Sequence, residues 1–335
     1  MKKLMVIAAA CVALVGCAKN ELDGLNNAQE RIGFQAVTGL QDVNRATFDD
    51  SKTFVATGWV VPEGKTFPTG AARYIDNQVV AYNTYLADTW TTATAYYWPA
   101  GGATMTFFAH YPATVTATWD GSTYTFAGYN SDTHDEIDFL VADVQNGRTY
   151  TNSGTTGVPV TFRHKLTQVA FNVGFGSATP GVSYQLKSIV LKKIGKVATF
   201  TQSNDGTTTT EAWSTPTTTA NYTIFTGSLN VTADLSVGGA TPNAIATTKT
   251  LFIPQTLTGA SFVVTYDTIT TLAGVESKTT VEKEVTFDVA HAATAVWDDN
   301  QLVTYTLKIK DDSKRITWQQ PTIEDWAPIS YTVEI

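Results

Sequence analysis

Short segments in which apolar and polar residues alternate run along most of the chain, the pattern of β-strands with one buried face. The pattern is clearest near the two ends, where the apolar positions are Ile32, Phe34, Ala36, Ile329, Tyr331, Val333 and Ile335. Further strands are predicted at residues 105–109, 137–141, 160–162, 169–173, 189–191, 251–253, 262–266, 281–287 and 305–309. Because no window of helical length keeps a 3.6-residue period, the sequence predicts an all-β protein.

The spacing of these strands also predicts the domain organisation. Many short strands separated by Gly, Pro and Asn are typical of β-sandwiches. We place a domain boundary near residues 164–166, with an N-terminal sandwich over 46–165 and a C-terminal sandwich over 166–335. The Thr-rich segment 207–219 and the segment 174–181 are predicted to be surface loops.

The first residues predict export. Two lysines precede the uncharged residues 4–15, a run too short to span a bilayer, which needs ~20 apolar residues. Such a run is typical of a secretory signal peptide, predicted here as residues 1–16. The sequence Leu14-Val15-Gly16-Cys17 resembles the lipobox of bacterial lipoproteins, in which the cysteine is acylated. We therefore expect Cys17 to be the lipidated first residue of the mature chain; the alternative is an ordinary secreted protein with a chance cysteine.

Composition excludes several classes of function. Charged residues make up 16% of the chain, below the ~25% of a typical soluble protein, and the net charge is -8. No basic patch stands out, so we expect no nucleic-acid partner. The two cysteines are Cys11, inside the signal, and Cys17, so the mature fold is expected to have no disulfide.

Motifs for catalysis or cofactor binding are missing from the sequence. The histidines are His110, His134, His164 and His291, and none has a zinc-ligand spacing. No nucleophile elbow, P-loop or dinucleotide fingerprint occurs. We therefore predict a protein that is not an enzyme, with no metal and no cofactor.

Two local features leave alternatives open. The densest acidic cluster consists of Asp132, Asp135, Glu136, Asp138 and Asp143. It is favoured as a solvated loop, with a calcium site or a carboxylate pair for glycoside hydrolysis as alternatives. Among the tryptophans, Trp213 in the Thr-rich segment is the best candidate for an exposed ring that binds glycans.

Several segments, taken in order, resemble the fimbrillin-like family, the lipoprotein subunits of the type V pili of Bacteroidia. The segments are Tyr97-Trp98-Pro99, residues 105–112, residues 160–173, Leu251-Phe252-Ile253-Pro254-Gln255, residues 297–309 and residues 316–326. They extend over most of the chain beyond residue 32. The resemblance implies two tandem transthyretin-like β-sandwiches and a structural subunit of a surface fimbria that supports adhesion. Shaft, tip and accessory positions all remain open.

The resemblance also implies how such subunits assemble. The precursor is an outer-membrane lipoprotein acylated at Cys17 (palmitate), with residues 17–45 as tether and removable strand. A trypsin-like, Arg-specific protease cuts after an arginine, here Arg45 with Arg31 as the less favoured site. The strand lost is the one marked by Ile32, Phe34 and Ala36. A neighbouring subunit of the homo- or hetero-polymer then donates a strand, here the one with Ile329, Tyr331, Val333 and Ile335. The alternative is a surface lipoprotein that binds glycans through exposed aromatics.

Overall fold

A computed structural model describes most of the chain beyond residue 29. The described residues are 30–38, 46–83, 89–134, 136–154, 156–177, 179–287, 295–310, 317–318, 322–324 and 328–334. Cys17, Arg45, Asp135, His291 and Ile335 lie outside these ranges. Within them, no helix has the length and apolar character needed to cross a membrane.

Strands dominate the described residues, which confirms the predicted all-β class. The first strands are β1 (Phe34–Thr38), β2 (Ala46–Thr47), β3 (Thr53–Val61), β4 (Ala72–Asn83), β5 (Thr89–Thr92), β6 (Thr104–Tyr111), β7 (Thr118–Trp119), β8 (Thr123–Asn130), β9 (Leu140–Ala142), β10 (Gln145–Arg148), β11 (Val158–His164) and β12 (Thr167–Phe175). The one-turn helix α1 (Tyr150–Ser153) precedes β11. The later strands are β13 (Val182–Asn204), β14 (Thr209–Trp213), β15 (Thr218–Val231), β16 (Asn243–Ile245), β17 (Leu251–Phe252), β18 (Gln255–Thr256), β19 (Ser261–Leu272), β20 (Val275–Thr286), β21 (Val296–Trp297), β22 (Gln301–Ile309), β23 (Thr317–Trp318), β24 (Thr322–Glu324) and β25 (Pro328–Glu334).

The N-terminal half is a closed barrel. Hydrogen-bonded neighbours run in the order β6-β3-β4-β5-β1-β11-β9, and β9 pairs back onto β6 through His110↔Val141 and Tyr111↔Leu140. Because the sheet closes on itself, each of these seven strands has a neighbour on both sides. This architecture differs from the open sandwich predicted for residues 46–165, and it also includes β1, which lies before residue 46.

Alternation along the barrel strands sends one set of side chains inward. The barrel core is made mainly of aromatic and branched residues: Ile32, Phe34, Phe48, Phe54, Ile75, Val80, Trp90, Trp98, Met105, Phe107, Leu140, Val158, Val160 and Phe162. These bulky side chains fill the interior as a small barrel requires, so the inside of the barrel is a packed hydrophobic core.

The C-terminal half packs two sheets face to face. One sheet carries β12, β22, β25 and β24 side by side, with β16 and β17 on the outer side of β12. The other carries β20, β19, the first part of β13, and β15. Between them lies a core that includes Phe171, Phe262, Trp297 and Tyr305.

The long strand β13 joins the two halves. Its first part pairs with β15 and β19, and its second part pairs with β8 and β14. A third core lies where β8 and the end of β13 meet the outside of the barrel, and it contains Phe108, Phe126, Phe139 and Phe200. The chain passes from the barrel to the sandwich between β11 and β12, and the two halves share a sheet and a core.

Two of the predicted local structures are wrong. Residues 209–213 of the supposed loop 207–219 form β14, and β15 begins at residue 218. These segments are polar on both faces, so alternation does not reveal them, and pairing with β13 makes them strands. The supposed loop 174–181 begins later than predicted, because β12 continues to Phe175 beside β22.

Candidate functional site

Strand β1, the predicted removable strand, occupies an internal position of the barrel. It runs parallel to β11 in the register Phe34↔Val158 to Thr38↔Phe162. On its other side Phe34 pairs with Trp90 of antiparallel β5. Removing β1 would therefore open the barrel and leave the facing edges of β5 and β11 without their partner.

The side chains that the sequence marked on β1 do point into the core. Ile32, Phe34 and Ala36 are 1%, 1% and 6% exposed, whereas Gln35 between them is exposed. The Phe34 ring packs edge-to-face on Phe54 and Phe107, with centroid distances of 6.0 and 5.7 Å. Burial of these side chains makes β1 part of the hydrophobic core.

The backbone next to β1 is fitted closely to it. Gly157, which precedes β11, has a φ of +86°, and a Cβ there would lie 2.8 Å from the carbonyl carbon of Phe34. The neighbouring Val158 amide donates to the Gly33 carbonyl oxygen at 2.8 Å. A side chain at position 157 would therefore meet the β1 backbone, which is why the approach requires glycine.

Residues 30–32 extend this pairing ahead of β1. The Trp98 amide donates to the Glu30 carbonyl at 3.1 Å, and the Ile32 amide donates to the Tyr96 carbonyl at 2.8 Å. Arg31, the less favoured cleavage site, lies between them; it forms a backbone bridge with Tyr97, and its guanidinium donates to the Thr92 carbonyl. Its backbone is thus held inside the paired region.

After β1 the chain returns antiparallel to it as β2. The pairs are Val37↔Thr47 and Thr38↔Ala46. The favoured cleavage site, Arg45, directly precedes β2 in the sequence and lies outside the described residues. A cut at that position would separate β1 from the rest of the chain and keep β2 with the barrel.

The predicted donor strand, β25, lies in the chain's own C-terminal sheet. It runs parallel to β22, in a register that includes Val303↔Ile329 and Leu307↔Val333. Its other partners in the described residues are the short strands β24 and β23, and β23 also pairs with β22. The assignment as a donor remains a prediction, and a donated β25 would first have to leave β22.

The acidic cluster is divided among separate partners. Asp132 pairs with Lys196 at 3.1 Å, and Asp143 pairs with Arg163 at 2.9 Å. Glu136 accepts the amide of Thr250 at 2.7 Å. Asp138 pairs with His164. No group of three or more potential metal ligands occurs in the described part of the chain, so these carboxylates act there as structural partners.

Two of the histidines are part of the packing. His110 on β6 is buried, and its Nε2 lies 2.9 Å from the Val115 carbonyl oxygen. Burial lowers the pKa of His110 to about 4, so the ring is neutral at pH 7 and donates from Nε2. His134 stacks on Tyr129 with a centroid distance of 5.2 Å, and partial burial lowers its pKa.

Trp213 is not the exposed ring that the sequence predicted. It ends β14 opposite Phe200, packs on Phe139 with a centroid distance of 5.8 Å, and donates from Nε1 to the Lys165 carbonyl at 2.8 Å. Half-buried and already hydrogen-bonded, it contributes to the core between the halves. Trp213 is therefore not available as an exposed ring for stacking on a glycan.

The sequence did not reveal several of the residues that surround β1 in the barrel. Phe54, Trp90 and Gly157 come from strands or turns far apart in the chain, and the alternating pattern of the sequence does not mark them. Trp90 sits in a four-residue strand, too short for a periodic signal. A glycine that needs positive φ cannot be told from any other glycine by pattern alone.

Comparison with known proteins agrees with this fold. The family model described as fimbrillin-like matches residues 45–326. The chain belongs to the fimbrillin-like family. This match confirms the resemblance seen in the sequence. A search of curated proteins found no match to the chain.

A solved structure shows the same fold at low sequence identity. A fimbrial protein from Bacteroides vulgatus is similar with a TM-score of 0.59 and 16% identity, over 91% of this chain and 98% of that chain. A candidate cell adhesion protein from Bacteroides uniformis gives a TM-score of 0.49 and 17% identity, over 91% of this chain and 97% of that chain.

Proposed function

We propose that this protein is a non-enzymatic structural subunit of a cell-surface fimbria that polymerises by strand exchange. The single observation that supports it best is the place of β1, which is one of the strands that close the barrel and yet lies at the start of the described chain. Membership of the fimbrillin-like family and the similarity to a fimbrial protein support the same role. Adhesion of the assembled fimbria is part of this proposal.

Removal of β1 would create a strong acceptor site. Burying a side chain such as Ile32 or Phe34 contributes ~1.5–3 kcal/mol, so with the smaller Ala36 the strand contributes about 5 kcal/mol. That amount is comparable with the lower end of a whole domain's stability. The exposed edges of β5 and β11 would also present unpaired backbone groups, which favours the addition of a new strand by β-augmentation.

We assign the activating cut to Arg45. A cut after Arg31 would remove only the tether and leave Ile32, Phe34 and Ala36 in the core. The bridge of Arg31 with Tyr97 and its hydrogen bond to Thr92 also hold this segment against the barrel, so its backbone is not free to pair with a protease. The partner is therefore a trypsin-like protease that cuts between the end of β1 and the start of β2.

We assign the donated strand to residues 329–335. Its apolar positions alternate as those of β1 do, so one face can enter a groove of the same period. Among the described residues, β25 has β22 as a long partner and pairs with β24 and β23 over three and two residues, which is the arrangement of a strand that can be released.

The route to the cell surface follows from the first residues. We propose that residues 1–16 direct export and that acylated Cys17 anchors the precursor in the outer membrane. Acyl chains give firm anchoring because each buried methylene contributes ~0.8 kcal/mol. In a Cys17→Ser variant we expect loss of the protein from the membrane fraction; an unmodified Cys17 in the mature wild-type protein would contradict the assignment.

Two arginine variants test the mechanism. Arg45→Ala should leave an unpolymerised precursor, whereas Arg31→Ala should still be processed and assemble. Electron microscopy and N-terminal sequencing of surface material give the readout, with Ala46 expected as the new N-terminus. Processed polymers from Arg45→Ala would show that the cut lies elsewhere.

A further inference from the structure

Lys165 is a buried cation at the junction of β11 and β12. The residue is 3% exposed, and its ammonium lies 5.7 Å from the centre of the Phe200 ring. Its backbone is fixed on both sides, because its amide donates to the Phe139 carbonyl at 2.8 Å and its carbonyl accepts the Trp213 indole N–H at 2.8 Å. These two hydrogen bonds fix the backbone from which the Lys165 side chain extends.

Two carboxylates meet this ammonium. Glu211 Oε2 lies 2.5 Å from Lys165 Nζ, and Asp299 Oδ2 lies 3.7 Å from it. Glu211 is itself positioned by Gln202, whose Nε2 donates to Glu211 Oε1 at 2.9 Å. One carboxylate is thus hydrogen-bonded to the amine, and the other lies just beyond hydrogen-bond distance.

The backbone holds Lys165 and Asp299 side by side. Strands β12 and β22 run parallel from the pair Thr167↔Gln301, and Lys165 and Asp299 each lie two residues before that pair. The Asn300 amide donates to the Leu166 carbonyl at 3.1 Å, which continues the pairing up to the two side chains. Their approach is therefore set by strand register as well as by charge.

The surroundings raise the pKa of the Asp299 carboxyl group. Burial is the largest cause that raises the pKa of Asp299, and the negative charges of Glu211 and Asp298 raise it further, against the opposing effect of Lys165. The carboxyl also borders a cavity of about 340 Å³ that Glu211 and Trp213 line, and its side chain is 41% exposed. A small product such as water can leave by that side.

We propose that Lys165 and Asp299 form an intramolecular amide bond, with Glu211 as the proton carrier. Glu211 accepts a proton from the ammonium, and the free amine of Lys165 attacks Cγ of Asp299. The nitrogen loses a second proton, both protons pass to one Asp299 oxygen, and that oxygen leaves as water. An ammonium and a carboxylate become an amide and one water, so atoms and charge balance without an oxidant or a co-reactant. Lys165 Nζ lies 3.7 Å from Asp299 Oδ2, close to the separation of about 3–3.5 Å at which two held groups gain a high effective concentration.

The bond would join the first strand of the C-terminal sandwich to β22, its parallel neighbour. It would close a loop of about 130 residues, and cross-links across long loops restrict the unfolded chain most. In a fibre, the same bond would carry tension from the barrel to the sheet that holds β25. This inference concerns the stability of the subunit and does not depend on strand exchange.

Mass spectrometry of protein purified from cells tests the proposal directly. A Lys/Arg-specific digest of wild type should yield a branched peptide that joins Lys165 to Asp299 and is lighter than the sum of its parts by about 18 Da, one water. The intact mass of Lys165→Arg should exceed that of wild type by about 46 Da, made of 28 Da for the substitution and 18 Da for the water retained. Because both proteins share the same N-terminal processing, this difference does not depend on where the chain is cut.

Matched variants separate the cross-link from a simple ion pair. Glu211→Gln should retain the water, because it lacks a proton carrier, and its melting temperature should fall by on the order of 10 °C. Lys196→Arg, at the more exposed pair with Asp132, should differ from wild type by about 28 Da alone. A wild-type digest with free Lys165 and free Asp299 peptides, or a 28 Da difference for Lys165→Arg, would overturn the proposal and leave a buried ion pair.

Discussion

The strands nearest the two ends of the described chain, β1 and β25, occupy different positions in their sheets. β1 lies inside a closed barrel, between β5 and β11, and its marked side chains are buried. In the part of the chain that the structure describes, β25 pairs at length with β22 and otherwise with the short strands β23 and β24. The same alternating pattern in the sequence therefore serves a strand that completes a core and a strand that borders a sheet.

This difference assigns opposite roles to the two strands in the proposed assembly. A strand enclosed on both sides leaves a defined slot when it is removed, because its neighbours are fixed by the rest of the barrel. A strand bordered by short partners can be released with a smaller loss of backbone pairing. The barrel therefore provides the acceptor, and the sheet edge provides the donor.

The largest expected effect comes from removing the donor. Deleting residues 330–335 should leave a folded, soluble monomer with a little-changed melting temperature and should abolish filaments, because the acceptor slot would have no occupant. Circular dichroism and electron microscopy provide the two readouts. If the truncated protein unfolds or still polymerises, the strand belongs to the chain's own core instead.

A register test refines the same comparison. Tyr331→Asp and Val333→Asp should block assembly, because successive strand residues alternate between faces and these two share the apolar face. Thr332→Asp, on the other face, is the matched control and should assemble normally. Equal loss for all three variants would argue against insertion of one face into a groove.

The next effect concerns the removable strand in the uncut precursor. Phe34→Ala should lower the free energy of unfolding by ~3–5 kcal/mol, as expected for a buried Phe whose cavity cannot collapse. The exposed neighbour supplies the control, because Gln35→Ala should change it by less than ~0.5 kcal/mol. Urea unfolding measures the free energy of unfolding of both variants. Similar losses for Phe34→Ala and Gln35→Ala would mean that β1 is not part of the core.

Acid should weaken the part of the molecule that holds β1. Native His110 is neutral with a pKa lowered to about 4, whereas in the unfolded chain it has its ordinary value of 6.5. Unfolding therefore takes up a proton below about pH 6.5, and stability falls as the pH drops toward 4, by about 3 kcal/mol in all. In urea unfolding measured between pH 7 and 4, His110→Gln should reduce the loss of stability with falling pH. An unchanged loss would mean that other groups cause the acid sensitivity.

The smallest effect tests how closely β1 is fitted. Gly157→Ala should destabilise the precursor by ~1–3 kcal/mol, because alanine disfavours a positive φ and its Cβ would meet the Phe34 backbone. Gly147→Ala is the control for φ alone, since Gly147 has φ +63° with open space around its Cβ position. If thermal unfolding shows equal losses of stability for the two variants, the close contact between position 157 and β1 does not contribute to the effect.

Prediction from the sequence succeeded where a buried face alternates with an exposed one. Strand β1 and the strands near residues 160, 169 and 305 were located from the alternating pattern. It failed for β14, whose polar residues give no contrast between faces, and for Trp213, whose partners Phe139 and Phe200 are distant in the chain. The acidic cluster looked like one feature only because its members are neighbours in sequence.

The sequence by itself determined the all-β class, the family and the buried face of β1, because strand periodicity and segment order are local properties of the chain. Only the tertiary structure decided that the first half closes into a barrel, that β13 joins the two halves, and that Lys165 meets Glu211 and Asp299. The physical reason is that barrel closure and strand register depend on pairings between distant segments, and an alternating pattern states which face is buried but not which strand lies beside it.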